Sequence, residues 1–249
     1  EDLINETPLA KFNYRVVHEQ SIDERGIDVG LIYDKTTFEY LSHHVIRHHF
    51  PFDEDNKTRD ILHVKGIVKS ANDTLHVFVN HWPSRRGGLE VSEPYRMYVA
   101  NRLKQVTDSI LLKNHNANII ITGDFNDEPS NRSLLEGLGA KGSLSDLQDG
   151  DLYNYMYHLK ENKGLGTYKY QTFWNMLDHF IVSESLIDNS GRLRADENAA
   201  QIYSPDWLYM DDDMNTGKRP FRTFGGAIYY QGYSDHFPIY LDLDITSNN

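Results

Sequence analysis

The chain has 249 residues, of which 39% are hydrophobic and 12% aromatic, and its 25 Lys and Arg against 37 Asp and Glu give a net charge of −12. This is enough apolar material for one large core, and we predict a single domain over residues 1–249. The negative charge excludes a purely electrostatic grip on polyanions, so a nucleic-acid substrate would need a local basic patch or a metal. The absence of cysteine excludes disulfides, a thiolate nucleophile and a thiolate zinc site.

No apolar run reaches the roughly 20 residues that span a bilayer, and the first residues lack a signal-peptide pattern. The opening segment EDLINETPLAKF is typical of the middle of a helix, and we therefore expect a natural start further upstream. The compartment is left open by these features. A cysteine-free chain of this kind is compatible with a periplasmic or secreted protein.

Short apolar runs between turn residues predict a strand-rich first third. The expected strands are Tyr14–His18 and Ile27–Tyr33, which would form a hairpin, followed by Leu41–Phe50, Ile61–Val68 and Leu75–Asn80. Apolar residues then recur at steps of three or four and predict an amphipathic helix ending near Lys113, with Ser92 as its N-cap. A buried strand at Ile119–Thr122, a short helix near Asn131–Leu138 and strands at Leu177–Val182 and Ile239–Leu243 complete an α/β pattern.

Two polar residues follow the buried strand in the segment ITGDFND, Ile121–Asp127. If the backbone stays extended, Asp124 and Asn126 point to the same face of the sheet. A carboxylate there can orient or deprotonate water, and the amide can hold that water or a phosphoryl oxygen. The same two residues are equally typical of an Asx turn at a strand end.

A second strand end carries a histidine and two arginines in the segment NHWPSRRGG. His81 can donate or accept a proton near neutral pH, and Arg85 and Arg86 stand on a flexible loop suited to phosphate oxygens. A polar cap and ordinary surface arginines are the alternative interpretation.

Two Asp-His pairs occur in the C-terminal half, Asp178-His179 in an apolar run and Asp235-His236 before a predicted strand. Adjacent side chains of a strand face opposite ways, so each pair can serve two partners. A carboxylate near a metal and a histidine oriented by a distant Asp is one such arrangement, and Asp178 is the natural partner of His236. A structural hydrogen bond at a strand edge is the alternative for Asp178.

In this order, these segments resemble the endonuclease/exonuclease/phosphatase superfamily, which includes DNase I-like nucleases, exonuclease III-like repair enzymes, sphingomyelinases and inositol polyphosphate phosphatases. The matching segments are RGIDVGLIY at Arg25–Tyr33, Thr58-Arg59, NHWPSRRGG at Asn80–Gly88, Arg96 with Ala100, GDFND at Gly123–Asp127, LDHFIVS at Leu177–Ser183 and SDHFPI at Ser234–Ile239. They extend over nearly the whole chain.

The resemblance implies a DNase I-like, four-layer α/β sandwich, in which two packed mixed β-sheets are flanked by helices and the active site lies at one edge. It implies that Asp124 positions or activates the attacking water, that Asn126 orients the water and that His81 contacts the scissile phosphate. The implied catalytic set is His81, Asp124, Asn126, Asp178 and His236, with Asn80, Arg85 and Arg59 binding substrate. Asp235 would lie beside a divalent metal, Mg²⁺ or Mn²⁺.

One departure concerns the family's N-terminal strand and the following glutamate that binds the metal. Glu1 leads into a helical segment with no strand before it, so neither feature has a counterpart in this sequence. We therefore expect an N-terminally truncated domain with an impaired metal site and an exposed sheet edge.

Two further clusters are interpreted as structural. The run His43–His49 lacks the spacing and the carboxylates of a metal site and predicts a polar strand face. The triplet Asp211–Asp213 predicts a solvated loop, with calcium binding as the minor alternative. The tyrosines between Tyr153 and Tyr170 suit the core or the rim of a substrate groove.

The leading functional prediction is a divalent-metal-dependent phosphodiesterase. Its substrate would be a nucleic acid, as for an endonuclease, or a phospholipid head group. A phosphomonoesterase acting on a sugar or inositol phosphate is the alternative among enzymes, and a lower charge barrier favours such small phosphorylated substrates. A non-catalytic binding protein that keeps the fold is the alternative from another class. The oligomeric state is not predicted.

Overall fold

The structure is a computed structural model that describes residues 2–188 and 191–246. The strands are β1 (Tyr14–His18), β2 (Gly30–Asp34), β3 (Phe38–Ile46), β4 (Ile61–Val68), β5 (Asp73–His81), β6 (Asn118–Asp124), β7 (Ala140–Lys141), β8 (Leu152–Asn154), β9 (Tyr168–Tyr170), β10 (Phe173–Asn175), β11 (Asp178–Ser183), β12 (Leu193–Arg194), β13 (Ala200–Ile202), β14 (Tyr209–Asp211), β15 (Lys218–Pro220), β16 (Phe224–Gly225), β17 (Ile228–Tyr229), β18 (Ile239–Leu241) and β19 (Asp244–Ile245). The helices are α1 (Asp2–Asn5), α2 (Leu89–Leu111) and α3 (Tyr155–Glu161), with a π-helical turn at Ser133–Leu138 and 3-10 turns at Pro8–Lys11, Leu144–Asp146, Glu184–Leu186 and Asp206–Leu208.

A seven-stranded mixed sheet with the order β3-β4-β5-β6-β11-β8-β7 forms the centre of the fold. Strands β5 and β6 are parallel, and α2 provides the crossover between them, as the strand–helix–strand order predicted. Strand β11 runs antiparallel to β6. The end of β6 is therefore flanked by the end of β5 and the beginning of β11.

Each face of this sheet covers its own core. On one face, Leu103 of α2 packs with Phe78 and Ile121. On the opposite face, Ile120 packs with Met156 of α3 and with residues of the β13–β18 pair. The large mixed sheet flanked by helices confirms the α/β sandwich that the sequence predicted.

The second layer is built from short pairs of strands. In residues 2–188 and 191–246 it consists of two-stranded pairs, among them the predicted hairpin β1–β2 and the pair β13–β18. The hairpin packs Val17 against Leu62 and Val64 of the central sheet. The hairpin and the β13–β18 pair therefore cover the central sheet with apolar side chains.

Helix α2 begins earlier than predicted, and Ser92 is not its N-cap. The helix starts after Gly88, whose φ of 113° is available to glycine but strained for other residues. The Ser92 hydroxyl instead donates to the Gly88 carbonyl oxygen at 2.6 Å and accepts from Arg96 at 2.8 Å. The sequence alone could not decide whether Ser92 is the N-cap or lies inside the first turn, because a proline such as Pro94 is tolerated shortly after a serine in either position.

The two charged clusters are partly buried rather than fully solvated. Asp212 of the acidic triplet is 6% exposed and accepts a hydrogen bond from Lys169 Nζ at 2.9 Å, which corrects the expected solvated loop. In the histidine run, His43 lies 3.0 Å from Glu19, whereas His48 is buried. No helix in the described ranges has both the length and the apolar character needed to cross a membrane.

Candidate active site

Three neighbouring strands bring polar residues to one edge of the central sheet. In the parallel pair β5–β6, His81 is the register partner of Asp124. In the antiparallel pair β6–β11, Asp178 is the register partner of the same Asp124. The topology therefore sets His81, Asp124 and Asp178 side by side in one row, although they are far apart in sequence.

The backbone turns sharply at the end of β6. Gly123 has a φ of 132°, and a Cβ atom there would lie 1.9 Å from the Asn80 carbonyl oxygen, so only glycine fits. Asn126 has a φ of 52°, in the left-handed region that Asn tolerates.

The extended backbone that the sequence interpretation assumed for Asp124 and Asn126 is therefore wrong. Their side chains meet through an Asx turn instead, in which the Asn126 backbone N–H donates to Asp124 Oδ1 at 2.8 Å. The Asn126 amide also donates to Asp124 Oδ2 at 3.2 Å. The Asx turn and the proposed role of the Asp124 carboxylate are therefore compatible, because the turn itself fixes the position of that carboxylate.

Asp124 and His81 form a close acid–imidazole pair. His81 Nε2 lies 3.6 Å from Asp124 Oδ2. Burial and then the nearby negative charge of Asp178 raise the pKa of Asp124 to about 6. Burial, followed by the positive charges of Arg59 and Arg25, lowers the pKa of His81 to about 4. At neutral pH the pair therefore consists of a carboxylate and a neutral imidazole.

Asp178 also contacts the distal histidine. His236 Nδ1 lies 2.7 Å from Asp178 Oδ2, and the His236 ring centroid is 4.8 Å from that of Tyr168. Burial disfavours the charged imidazole, but the charge and hydrogen bond of Asp178 outweigh it and raise the pKa of His236 to about 9. His236 is therefore a cation at neutral pH, 58 residues away in sequence from the carboxylate that holds its charge.

These residues line one open cleft of about 1010 Å³. His81, Asp124, Asn126, Asp178, Asp235 and His236 contribute to its surface. Arg25 and Arg85 are cations of the cleft, whereas Tyr168 and Tyr170 supply aromatic surface. The cleft thus combines charged and aromatic binding surface around the carboxylates.

Arg85 reaches the cleft as part of a fixed network. Its Nε donates to the Asn126 carbonyl oxygen at 2.7 Å, and its two terminal nitrogens donate to Asn175 at 3.3 Å and Asn131 at 3.2 Å. The guanidinium is consequently held in one orientation beside the catalytic candidates, which suits planar recognition of a phosphate.

Two predicted substrate-binding residues do not line this cleft. Asn80 is 2% exposed, and its amide is occupied by the carbonyl oxygens of Phe78 and Thr122 and by the indole of Trp82. Both amide hydrogens of Asn80 and one lone pair of its oxygen are therefore engaged within the protein.

Arg59 is 4% exposed and donates to the Trp82 carbonyl oxygen at 2.6 Å and to Asp23 at 3.3 Å. The same Trp82 oxygen accepts from the Asn126 amide at 3.0 Å. Arg59 therefore supports the active-site turn from beneath and lines a neighbouring depression instead of the main cleft.

The sequence profile of the Endonuclease/Exonuclease/phosphatase family matches residues 1–245. The chain belongs to this family. No curated protein matches the sequence.

Solved structures of this family's fold are similar to the chain. The human Nocturnin catalytic domain with bound sulfate has a TM-score of 0.57 and 17% identity, covering 96% of this chain and 74% of that one. Zebrafish (D. rerio) TDP2 with a single-strand DNA product has a TM-score of 0.57 and 14% identity, covering 98% and 80%. A mannosyl-6-phosphatase of Bacteroides thetaiotaomicron has a TM-score of 0.56 and 15% identity, covering 97% and 79%. At these identities the similarity establishes the fold.

Among residues 2–188 and 191–246, one group of residues has the donor atoms for a metal. One ligand atom each from Asp124, Asp178 and His236 lies within 4.8 Å of the others. Asp235, the residue predicted to bind the metal, lines the same cleft but is not in that group; its carboxylate lies 3.4 Å from Arg222. The carboxylate oxygens of Asp124 and Asp178 fit a hard cation such as Mg²⁺.

Several residues of the site were not identified from the sequence. Asn175 and Asn131 fix Arg85, and the Trp82 carbonyl oxygen joins Arg59 to Asn126. Their roles use ordinary amides and a backbone atom, which leave no recognisable motif. Tyr168 and Tyr170 were expected in the core or at a groove rim, and they lie in the cleft surface.

Proposed function

We propose that this chain is a phosphoesterase that requires a divalent cation, Mg²⁺ or Mn²⁺, and hydrolyses phosphodiesters. The observation that carries the proposal is the meeting of Asp124, His81 and the Asp178–His236 pair in one open cleft. Family membership supports a phosphoester substrate, as do the names of similar structures, which include a DNA-product complex and a sugar phosphatase.

Asp124 is the candidate acceptor of the proton from the attacking water. Its carboxylate is held by two hydrogen bonds from Asn126, and a pKa raised to about 6 by burial and by Asp178 makes it a stronger base than an ordinary Asp. The Asn126 amide nitrogen is occupied by Asp124 and Trp82. Its amide oxygen has no partner within the described ranges and can orient that water.

Two imidazoles in different charge states would contact the phosphate. Neutral His81 can donate one hydrogen bond to a phosphoryl oxygen, while the positive His236 can offset the charge that develops on the phosphoryl group. Asp178 keeps His236 charged and oriented through the 2.7 Å contact. Arg85, fixed by its asparagine partners, adds a second cation.

Asp178 and Asp235 line the cleft beside Asp124, and their carboxylates would hold the cation. A bound divalent cation would polarise the phosphoryl oxygens and offset their negative charge. Carboxylate oxygens are the preferred ligands of Mg²⁺, which supports this assignment.

The open cleft favours a diester over a monoester. A diester carries a substituent on each side of the phosphorus, and this cleft offers surface for both groups in Arg25 and Arg85 and in Tyr168 and Tyr170. A local group of arginines also offsets the net charge of −12, which would otherwise repel a polyanion.

The test is hydrolysis of bis-p-nitrophenyl phosphate, p-nitrophenyl phosphate and plasmid DNA with Mg²⁺, with Mn²⁺ and with EDTA. We expect cation-dependent turnover of the diester, loss of that turnover in Asp124→Ala and little change in Asp146→Ala, an exposed carboxylate outside the cleft. Preferential turnover of the monoester would replace the diesterase with a monoesterase. No turnover of any substrate would leave a binding protein that keeps the fold.

A further inference from the structure

A second large space, here named the rear cavity, lies between α3, the segment that follows it, and strands β13 and β14. Its volume is about 710 Å³. No described residue lines both this cavity and the active-site cleft. Small-molecule sites in proteins typically have volumes of about 300 to 1,000 Å³, so the rear cavity has the size of a separate ligand site.

Two short segments form a wall with the cleft on one face and the rear cavity on the other. In β10, Asn175 lines the cleft and Trp174 lines the rear cavity. Likewise, His236 lines the cleft and the next residue, Phe237, lines the rear cavity. Adjacent side chains of an extended backbone point to opposite faces. A ligand in the rear cavity is therefore separated from the cleft by the thickness of this wall.

Hydrogen bonds hold the wall in place. The Phe237 N–H donates to the Thr167 carbonyl oxygen at 2.8 Å, and the Thr167 N–H donates to the Asn175 carbonyl oxygen at 2.8 Å. Lys160 Nζ donates to the Trp174 carbonyl oxygen at 2.5 Å. The rear cavity is consequently preformed, which lowers the cost of ordering the protein around a ligand.

Three aromatic rings form the floor of the rear cavity. The ring centroids of Trp174 and Phe237 are 5.5 Å apart and their planes differ by only 19°, which is a stacked arrangement. Tyr209 meets Phe237 edge-on, at 4.7 Å and 60°. Phe237 is buried, whereas Trp174 and Tyr209 are half-buried and leave ring surface open to the cavity. Because near-parallel rings can extend a stack, this floor suits a flat aromatic group.

The rim of the rear cavity carries an excess of positive charge. Lys163, Lys218 and Glu197 line it and are exposed, so two lysines against one glutamate leave one positive charge with His158 counted as neutral. Within the described ranges, the side chains of Lys163 and Lys218 form no ion pair or hydrogen bond. This local excess in a chain of net charge −12 favours an anionic ligand over a cationic one.

We propose that the rear cavity binds a small planar aromatic molecule that carries one negative group. The aromatic part stacks on Trp174, and the lysines of the rim bind the negative group. This site is distinct from the cleft, and the inference does not depend on the proposed phosphoesterase function.

Calorimetry with four ligands of one carbon skeleton tests which chemistry the rear cavity selects. The ligands are 2-naphthoate, the neutral 2-naphthalenemethanol, the cationic 2-naphthalenemethylamine and the saturated decahydro-2-naphthoate. We expect 2-naphthoate to bind about tenfold more tightly than the alcohol, the scale of one charge-assisted hydrogen bond, and more tightly still than the amine. The saturated acid should bind about fivefold more weakly than 2-naphthoate, because it cannot stack. Equal affinity for the acid, the alcohol and the amine overturns the proposal, as does equal affinity for the two acids.

Charge variants identify the groups that bind the acid. Lys163→Gln/Lys218→Gln should reduce the affinity for 2-naphthoate about tenfold, to that of the alcohol. The control Lys35→Gln/Lys141→Gln removes the same charge at exposed positions outside both spaces and should leave that affinity unchanged. The cleft variant Arg25→Gln should also leave it unchanged. An equal loss in the control, or a loss in Arg25→Gln, overturns the proposal.

The indole N–H signals in an NMR titration locate the bound ring. The chain has three tryptophans, of which Trp82 is buried and Trp207 is exposed outside the rear cavity. On addition of 2-naphthoate only the Trp174 signal should shift, and its disappearance in Trp174→Phe assigns it. This readout uses the natural chain, so it holds even if a variant folds poorly. A Trp174 signal that stays in place, or a shift confined to Trp207, overturns the proposal.

Discussion

His236 Nδ1 lies 2.7 Å from Asp178 Oδ2, and this contact joins a residue that follows the β16–β17 hairpin to the first residue of β11. Burial alone would favour a neutral imidazole, but the Asp178 carboxylate raises the pKa of His236 to about 9. The charge state of His236 therefore depends on this carboxylate–imidazole pair.

Asp178→Asn should remove most of this charge. We expect the pKa of His236 to fall from about 9 toward or below 6.5, because burial is then opposed only by Asp124 and Asp235. Diesterase kcat should fall by about a hundredfold at pH 7.5, the usual scale of one acid–base group. NMR titration of the imidazole and steady-state kinetics measure both effects. An unaltered His236 titration in the variant would contradict this account of the pair.

Gly123→Ala should strongly destabilise the fold, whereas Gly26→Ala should have a small effect. An added Cβ at Gly123 would lie 1.9 Å from the Asn80 carbonyl oxygen, and nothing lies within 4 Å of one at Gly26. Both glycines have positive φ, so the pair separates the steric clash from the backbone strain of about 1 kcal/mol. We expect Gly123→Ala to lose at least about 3 kcal/mol in urea unfolding. Equal losses for the two variants would mean that the close approach to Asn80 is unimportant.

The His63–His76 pair should make the protein sensitive to acid. The two rings lie within hydrogen-bonding distance, 2.9 Å, and burial lowers their pKa values to about 3 and about 4. The unfolded chain takes up protons below pH 6.5, while the folded chain does not until much lower pH. The stability contributed by neutral rings is thus complete above pH 6.5 and is lost as the pH falls.

For each ring that stays neutral in the folded chain, the free energy of unfolding falls by about 1.4 kcal/mol per pH unit below pH 6.5. The free energy of unfolding in urea should fall between pH 7 and pH 5. We expect this fall to be smaller by about 2 to 4 kcal/mol in His63→Gln/His76→Gln than in the natural chain. His158→Gln, at an exposed position, controls for the loss of an imidazole as such. The prediction fails if the double variant loses as much stability on acidification as the natural chain does.

Tyr170→Ala should weaken the binding of aromatic substituents. Tyr170 is 60% exposed and lines the cleft, while Tyr229 is equally exposed and does not. Because stacking on an aromatic side chain contributes about 1 kcal/mol or more, KM for bis-p-nitrophenyl phosphate should rise about fivefold in Tyr170→Ala and stay constant in Tyr229→Ala. Similar KM values for the two variants would show that Tyr170 does not contribute to substrate binding.

The sequence predicted the central elements because their signals are local. The apolar runs at β5 and β6 and the periodicity of α2 identified the strand–helix–strand unit, and that unit alone brings His81 next to Asp124. The same reasoning identified the β1–β2 hairpin and β18 of the second layer but missed β16 and β17, since two-residue strands are too short for a period-two pattern. It also failed at Ser92, where a proline suggested a helix start that lies several residues earlier.

Residue identity predicted the cleft better than it predicted the roles of supporting residues. Asp178 and His236 could be paired from chemistry, because a charged imidazole needs a carboxylate. The supporting roles of Asn80 and Arg59 could not be recognised from the sequence, because their side chains would suit a phosphate as well as the backbone oxygens they bind. Only the tertiary structure determines which of these acceptors is within reach.

The Trp82 carbonyl oxygen accepts hydrogen bonds from Arg59 and from Asn126 at once. Each donor therefore restrains the peptide group that the other one uses, and the two side chains form a single energetic unit. In a double-mutant cycle, removing both should cost less than the sum of the single losses. In evolutionary terms, we expect relatives that replace one of these donors to change the other as well, so that Arg59 and Asn126 vary together.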